Sequence, residues 1–338
     1  MKQAILFKKL ENKKVQCLAC NHRCTILPDN RGICAVRQNQ DGNLVTLVYG
    51  KAISEAVDPI EKKPLFHFLP GSTSLSIATI GCNFRCDNCQ NWQISQGSKN
   101  QSEIPGRDLS PAKIVADAKT NHCLSISYTY TEPTIFVEYA LDTMKLAKQS
   151  GLKNVWVSNG YMTRETLEEI RPYLDAINVD LKFFDNASYQ KNCGGRLDPI
   201  LENLKWFKQN QIHLEVTTLS IPTLSDSMEM LTQMARFIKE QLGPETPWHL
   251  SAFSPDISYK LEDLSATPVS TLEKARTIAL EQGLKFVYLG NVPGHQGEQT
   301  YCPECGIMVI QRLGYQTNRY DEQGQCPKCQ ANLALVLK

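Results

Sequence analysis

Three cysteines, Cys82, Cys86 and Cys89, stand at a C-x3-C-x2-C spacing directly after the apolar run Leu75 to Ile80 and a break at Gly81. A tight loop with three thiolates can take three corners of an iron–sulfur cube and leave the fourth iron for another ligand. A closed zinc site wants four protein ligands, and disulfides do not account for three cysteines. Four more cysteines, Cys17, Cys20, Cys24 and Cys34, surround His22 in a short basic segment. They suffice for zinc or for a second iron–sulfur cluster, and such a module generally needs a metal to fold. Cys302-Pro303-Glu304-Cys305 and Cys326-Pro327-Lys328-Cys329 are paired knuckles of the zinc-ribbon kind, with rubredoxin-type iron as the competitor. Cys123 and Cys193 stand apart, and Cys193 reads as a buried thiol before it reads as a reactive one.

The chain around these groups has 338 residues, a net charge of +1 and thirteen cysteines. Clustered cysteines at metal-ligand spacing point to a reducing compartment, so the expected location is cytoplasmic. The start, MKQAILFKKL, carries too short an apolar run for a signal peptide, and no stretch approaches a membrane span of about 20 residues. Near-zero net charge gives no global reason to expect nucleic acid. The basic segment 1–40 reads first as a solvated surface, with nucleic acid as the minority reading.

The elements that must position the three cysteines follow from periodicity. Strand-like runs occur at Leu75–Ile80, Leu124–Tyr130, Asn154–Ser158, Ala176–Leu181, His213–Leu219, His249–Phe253 and Phe286–Leu289. Helical stretches lie between them: Pro111–Thr120 capped by Ser110, Thr134–Gln149, Thr163–Tyr173, Pro199–Asn210, Asp226–Gln241 with Asp226 as cap, and Ser270–Gln282. Asp58–Pro64 reads as a loop, and His67 as a packed histidine. Such alternation gives an α/β fold, a partial or complete (β/α) TIM-type barrel. A small N-terminal cysteine module and a C-terminal zinc-ribbon-like module flank it, with divisions at 1–50, 51–299 and 300–338. Polar residues gather at many strand ends: Thr131-Glu132-Pro133, Ser158-Asn159-Gly160, Asp180-Leu181-Lys182, Thr217-Thr218 and Ser251. In a barrel that rim is the active-site face, and the cysteine loop opens on it.

The cysteine motif after the first strand of a parallel barrel resembles the radical S-adenosylmethionine (SAM) superfamily over about residues 74–292. The resemblance implies a [4Fe-4S] cluster on Cys82, Cys86 and Cys89 whose free iron chelates SAM. It also implies reductive cleavage of SAM to a 5′-deoxyadenosyl radical that abstracts hydrogen, with a reductant such as flavodoxin or ferredoxin. Tyr130-Thr131-Glu132-Pro133 corresponds to the family's Gly-Gly-Glu-Pro, so Glu132 is expected at the methionine ammonium. Ser158, Asn159 and Gly160 correspond to the Asp-Thr-Asn-Gly strand end of glycyl radical activases, with the Asp lost. Asp180 and Lys182 match an Asp-Leu-Lys motif, Lys182 reaching the methionine carboxylate or ribose. The late histidine of the activases is absent, and Ser254 lies near that place. More narrowly, the Cys17–Cys34 group, the Asp58–Gly71 segment, Tyr128-Thr129-Tyr130-Thr131-Glu132-Pro133, Pro247-Trp248-His249, Gly290–Gly294 and the terminal knuckles resemble the AmmeMemoRadiSam-type enzymes, relatives of pyruvate formate-lyase activating enzyme. Memo-like and AMMECR-like proteins are the partners this implies.

Each of these residues also has a plain structural reading. Glu132 can cap the helix that begins near Thr134. Asp180 and Lys182 can be an ion pair at a strand end, and Asn159-Gly160 is a good turn. No catalytic residue is assigned beyond the cluster and SAM ligands. Three functions compete: a radical enzyme acting on a protein glycine, a radical enzyme modifying RNA or a small molecule, and a zinc-ribbon interaction protein with an inactive barrel.

Overall fold

The computed structural model describes residues 1–100 and 103–338. At its centre is a sheet of β1 (Ser54–Pro59), β2 (Thr73–Ala78), β3 (Ser125–Tyr128), β4 (Lys153–Ser158), β5 (Ala176–Asp180), β6 (His213–Ser220), β7 (Trp248–Ala252) and β8 (Val287–Gly290), side by side in chain order. β1 runs antiparallel to β2, and every later pair is parallel. Among the described residues no ladder joins β8 back to β1, so the wall is a partial barrel. β1 is a correction to the sequence reading, which placed Asp58 and Pro59 in a loop. Ser-Glu-Ala-Val-Asp-Pro lacks the apolar alternation of a half-buried strand, and it pairs as an edge, where Pro at the terminus costs no ladder bond.

Alternation along the strands gives the sheet two unlike faces. Leu75, Ile77, Ile126, Trp156, Ile177 and Val216 are buried in the main apolar cluster with the helices. The opposite positions are polar: Ser76 pairs with Ser127, Asn178 with Glu215, and His249 with Tyr288. The helices follow the expected spans closely. Ser110 caps Pro111–Thr120 and Thr163 caps Arg164–Ile170 through their hydroxyls. The helix expected from Asp226 starts one residue later: Ser227 Oγ accepts from Met230 N, while Asp226 turns back to accept from Thr223 N. Two short helices, Trp92–Gln96 and Asn186–Asn192, lie in segments the periodicity left unassigned.

The N-terminal region forms two small antiparallel sheets, Lys2–Gln3/Asn43–Thr46/Arg37–Gln40 and Phe7–Lys9/Val15–Cys17/Thr25–Ile26. It sits on the rim. Arg37 makes a buried two-pronged pair with Glu138 at 2.7 and 2.9 Å, and Thr163 Oγ1 donates to the Leu18 carbonyl. A third antiparallel sheet, Thr300–Tyr301/Met308–Leu313/Gln316–Arg319, sits at the opposite end. There the segment Leu65–Leu69 enters the base of the barrel. Glu215 accepts from the backbone N–H groups of Phe66 and His67 and pairs with His213 and His249. The third sheet and the tail after it hold that segment from outside: Arg312 of the sheet donates to the Phe66 carbonyl, and Val336 of the tail bonds to His67 and Leu69. His67 is packed, as expected. Its Nδ1 lies 3.0 Å from the Leu333 carbonyl and its Nε2 2.6 Å from the Tyr288 hydroxyl. No described helix is long and apolar enough to cross a membrane.

Candidate active site

β2 ends at Ala78, and the chain turns through Gly81 at φ +98° into Cys82–Cys89. A side chain at Gly81 would meet Val36 at 2.8 Å and the Cys34 carbonyl at 2.9 Å, so glycine lets the N-terminal region press against the loop. On its other side the loop docks on the turn after the helix Asn186–Asn192. Arg85 N donates to the Cys193 carbonyl at 2.9 Å and Asp87 N to the Asn192 carbonyl at 3.0 Å. Phe84 is buried and fills the space over Gly195, where an added Cβ would come within 2.5 Å of its ring. The loop is thus clamped between two parts of the chain far apart in sequence.

Its cysteines carry no disulfide. Cys82 and Cys86 are buried and Cys89 is partly exposed. Burial, with the Glu132 carboxylate and the other thiols behind it, pushes the Cys82 thiol well above its ordinary value. The Cys89 thiol is raised by burial, against a hydrogen bond with Ser95 Oγ at 3.3 Å. Thiols held protonated in this way give up protons when a metal binds. Cys86 is held lower, first by a hydrogen bond with Cys193 and then by the Lys182 ammonium, against its burial. The donor set fits a cluster. It is three unlinked sulfurs in one clamped loop.

The strand ends supply the wall around the loop. Glu132 is fully buried. Its Oε1 accepts from Thr134 N at 3.0 Å, Thr134 Oγ1 at 2.6 Å and Ser158 Oγ at 2.9 Å, and its Oε2 accepts from Asn159 N at 2.9 Å. The carboxylate therefore caps the short helix Pro133–Phe136 and at the same time fastens the end of β4 to the end of β3. Burial raises its pKa, with these donors opposing. Asn159 donates to Asn83 Oδ1 at 2.7 Å and accepts from Tyr161 N at 3.0 Å. Gly160, at φ +73° and with no room for a side chain against Val179, makes the turn. Asp180 and Lys182 pair at 2.8 Å. Although burial lowers the Lys182 pKa, Asp180 and the Cys86 and Cys193 thiols raise it well above the usual lysine value. All six wall residues singled out in the sequence thus stand around one loop.

Cys193 is the neighbour the sequence reading missed as a site residue. It is fully buried, as the sequence suggested, and its neighbour Cys86, with burial, raises the pKa of its free thiol. The only local signal was the pair Gly194-Gly195 beside it, whose close packing against Arg85 and Phe84 shows that something must approach this turn. The polar interior below the rim was also missed. Asp58 gathers Lys62 at 2.9 Å, Lys63 at 2.7 Å, and Ser76 and Tyr130 at 2.8 Å. Against burial, the lysines and Ser76 hold its carboxyl far below the ordinary range.

The other cysteine groups differ in geometry. Cys302, Cys305, Cys326 and Cys329 bring their sulfurs within 4.8 Å of one another, and the closest pairs are 3.5 and 3.6 Å apart. A tetrahedral ion at about 2.3 Å from each sulfur sets them about 3.8 Å apart, so this is a metal-binding group of the single-ion kind. It is the only group so contracted among the described residues. Cys17, Cys20, Cys24 and Cys34 line one hollow without converging to that distance.

Comparison with known proteins agrees with this arrangement. The family model described as the radical SAM superfamily matches residues 76–238. An uncharacterized protein of Methanocaldococcus jannaschii, MJ0808, is 45% identical over the whole of both chains. The pyruvate formate-lyase-activating enzyme of Clostridium pasteurianum is 25% identical over 61% of this chain and 87% of its own. A radical SAM methyltransferase from Sphaerobacter thermophilus has the same fold at a TM-score of 0.51, with 12% identity, over 68% of this chain and 70% of that one. With a full-length relative and a family match that begins just before the cysteine loop, the chain belongs to the radical SAM superfamily and is an enzyme that uses a [4Fe-4S] cluster and SAM.

Proposed function

We propose that the protein abstracts a hydrogen atom from a protein partner, in the manner of the glycyl radical activases. The observation that carries this reading is the likeness to a pyruvate formate-lyase-activating enzyme over 61% of the chain, with a three-cysteine loop clamped on the barrel rim. Cys82, Cys86 and Cys89 would hold the cluster, which when bound and reduced by one electron would supply that electron for splitting the sulfonium of SAM. The chain's own residues bind, orient and exclude water. Lys182 offers a cation to the carboxylate end of SAM, and Asp180 keeps it aimed at the loop. Glu132 spends its lone pairs on Thr134, Ser158 and Asn159, so its contribution is to hold the strand ends in register around the ligand. An ammonium would have to share that carboxylate with donors already in place. Phe84 and the N-terminal region cover the loop from solvent.

The finer features rest on the same resemblance. Memo-like and AMMECR-like proteins are the proposed partners and a flavodoxin or ferredoxin the proposed reductant. Thirteen unlinked cysteines favour the cytoplasm. The proposed division is 1–50, 51–299 and 300–338, and the antiparallel sheets of the first and last segments support it. Zinc is the proposed ion at Cys302, Cys305, Cys326 and Cys329.

The test is anaerobic. Protein reconstituted with iron and sulfide is given SAM and dithionite, and 5′-deoxyadenosine is measured with and without a deuterated candidate partner. Cleavage, with deuterium passing from the protein partner into 5′-deoxyadenosine, is the expected result. A colourless protein that yields none overturns the assignment, and deuterium arriving from RNA or a small molecule overturns the activase reading.

A further inference from the structure

We propose that Cys17, Cys20, Cys24 and Cys34 hold a second iron–sulfur cluster, set directly behind the Cys82–Cys89 loop. All four sulfurs are unlinked, and all four residues line a single hollow with Arg37 and Asn83. Zinc would draw four thiolates to tetrahedral distance, as the C-terminal knuckles are drawn; these four stay apart around a hollow. A cube of iron and sulfide spans a wider set of sulfurs than one ion does.

Two buried N–H donors on the walls lack partners. Arg37 is 2% exposed and spends its terminal nitrogens on Glu138 and Ile135, leaving Nε without an acceptor. Asn83 is 1% exposed and its Nδ2 is likewise unsatisfied. An unpaired buried donor is costly, and the inorganic and cysteinyl sulfurs of a cluster are acceptors that N–H groups commonly meet. Zinc offers only the four cysteinyl sulfurs.

Position gives the site its meaning. Asn83 lines this hollow and is also the residue next to Cys82. Its carbonyl lies 2.8 Å from His22 Nε2, within the N-terminal group. The Cys34 carbonyl lies against Gly81 on the other side. Two clusters in these places lie on either side of Asn83, and interaction between their electron spins is the expected consequence.

The test uses the full-length protein, purified and reconstituted without oxygen. Iron, sulfide and zinc are counted, and Mössbauer spectra separate cluster iron from a single tetrathiolate iron. About eight cluster irons per chain are expected, and about four in either the Cys82→Ser/Cys86→Ser/Cys89→Ser or the Cys20→Ser/Cys24→Ser variant. In reduced protein, the EPR signal of the first variant ignores added SAM and that of the second responds to it. The wild type shows the broadening of two interacting spins. A wild-type count of about four cluster irons with two zincs per chain overturns the proposal, as does a count of about four with no metal at the N-terminal cysteines. The wild-type count decides the matter even if a variant fails to fold. Because it needs no SAM cleavage, it stands apart from failure of the activase reading.

Discussion

The side-chain amide of Asn159 donates to Oδ1 of Asn83 across 2.7 Å, tying the end of β4 to the middle of the cysteine loop. Asn159 is held from behind by the Glu132 carboxylate, which accepts from its backbone N–H. The loop geometry therefore depends on a chain of three polar residues, none of which is a cluster ligand.

Asn159→Ala should loosen that chain. It leaves Asn83 Oδ1 and Tyr161 N short of a partner, a loss of about 1–3 kcal/mol at buried positions. Fewer irons bound per chain and SAM affinity lowered roughly tenfold are expected, the latter being about 1.4 kcal/mol. Iron analysis and calorimetric titration of the reconstituted protein check this. Wild-type values for both would remove Asn159 from the account.

Glu132→Gln presents an amide NH₂ to neighbours that are themselves donors. A loss of about 1–3 kcal/mol in the folded state is expected, read as a lower urea midpoint. If Glu132 acts by positioning, SAM binding and stability fall together in Glu132→Gln. A SAM affinity that collapses at unchanged stability would instead establish direct contact with the ammonium.

Gly195→Ala puts a methyl group into the ring of Phe84. Overpacking of this kind costs about 1–3 kcal/mol, and here the strain falls on the loop itself. Cluster loading should drop, and Phe84→Leu in the same chain should recover part of it by making room. Full loading of the single variant would contradict the clamp.

Stability should fall in mild acid. The carbonyl of Leu333 can only accept, so His67 carries its hydrogen on Nδ1 and takes one from Tyr288 on Nε2. Burial pushes its pKa down to about 3 in the folded chain, against about 6.5 when unfolded. Between those values the unfolded chain binds the extra proton, so stability is full above about pH 6.5. It falls by up to about 1.4 kcal/mol per unit as the pH drops toward 3. Urea midpoints across that range in His67→Asn should slope less, by one proton; an unchanged slope would place the titration elsewhere.

Cys326→Ala should lower the melting temperature and the zinc content while the loop at the other end of the barrel still loads iron and sulfide. Loss of the visible iron–sulfur absorbance with zinc retained would reverse that picture.

Much of this was legible in the residues, for physical reasons that can be named. The seven parallel strands stood out because each buries an apolar face, as at Ile126, Ile177 and Val216. The helix starts at Pro111 and Arg164 stood out because Ser110 and Thr163 are good caps. That the rim residues gather around the cysteine loop could be expected because they end successive parallel strands, which a barrel brings to one face. β1 was not legible, since an edge strand need not alternate. Cys193 was not legible either, because its meeting with Cys86 is made by tertiary packing between segments with no shared pattern. The role of Glu132 was half legible: its capping of the turn at Thr134 was foreseen and is observed, but not that Ser158 and Asn159 would also donate to it.

The strap at the foot of the barrel bears on how the chain comes to be folded. His67 takes its partner from Leu333, 266 positions away, and Val336 pairs with the same segment. Contacts so distant must wait for nearly all the loop entropy between them to be lost. The barrel wall, built from neighbours in sequence, can form first, with Phe66, Phe286 and Tyr288 still bare. Removing the C-terminal segment would therefore leave that apolar patch open to solvent, so the segment serves as the barrel's lower cover.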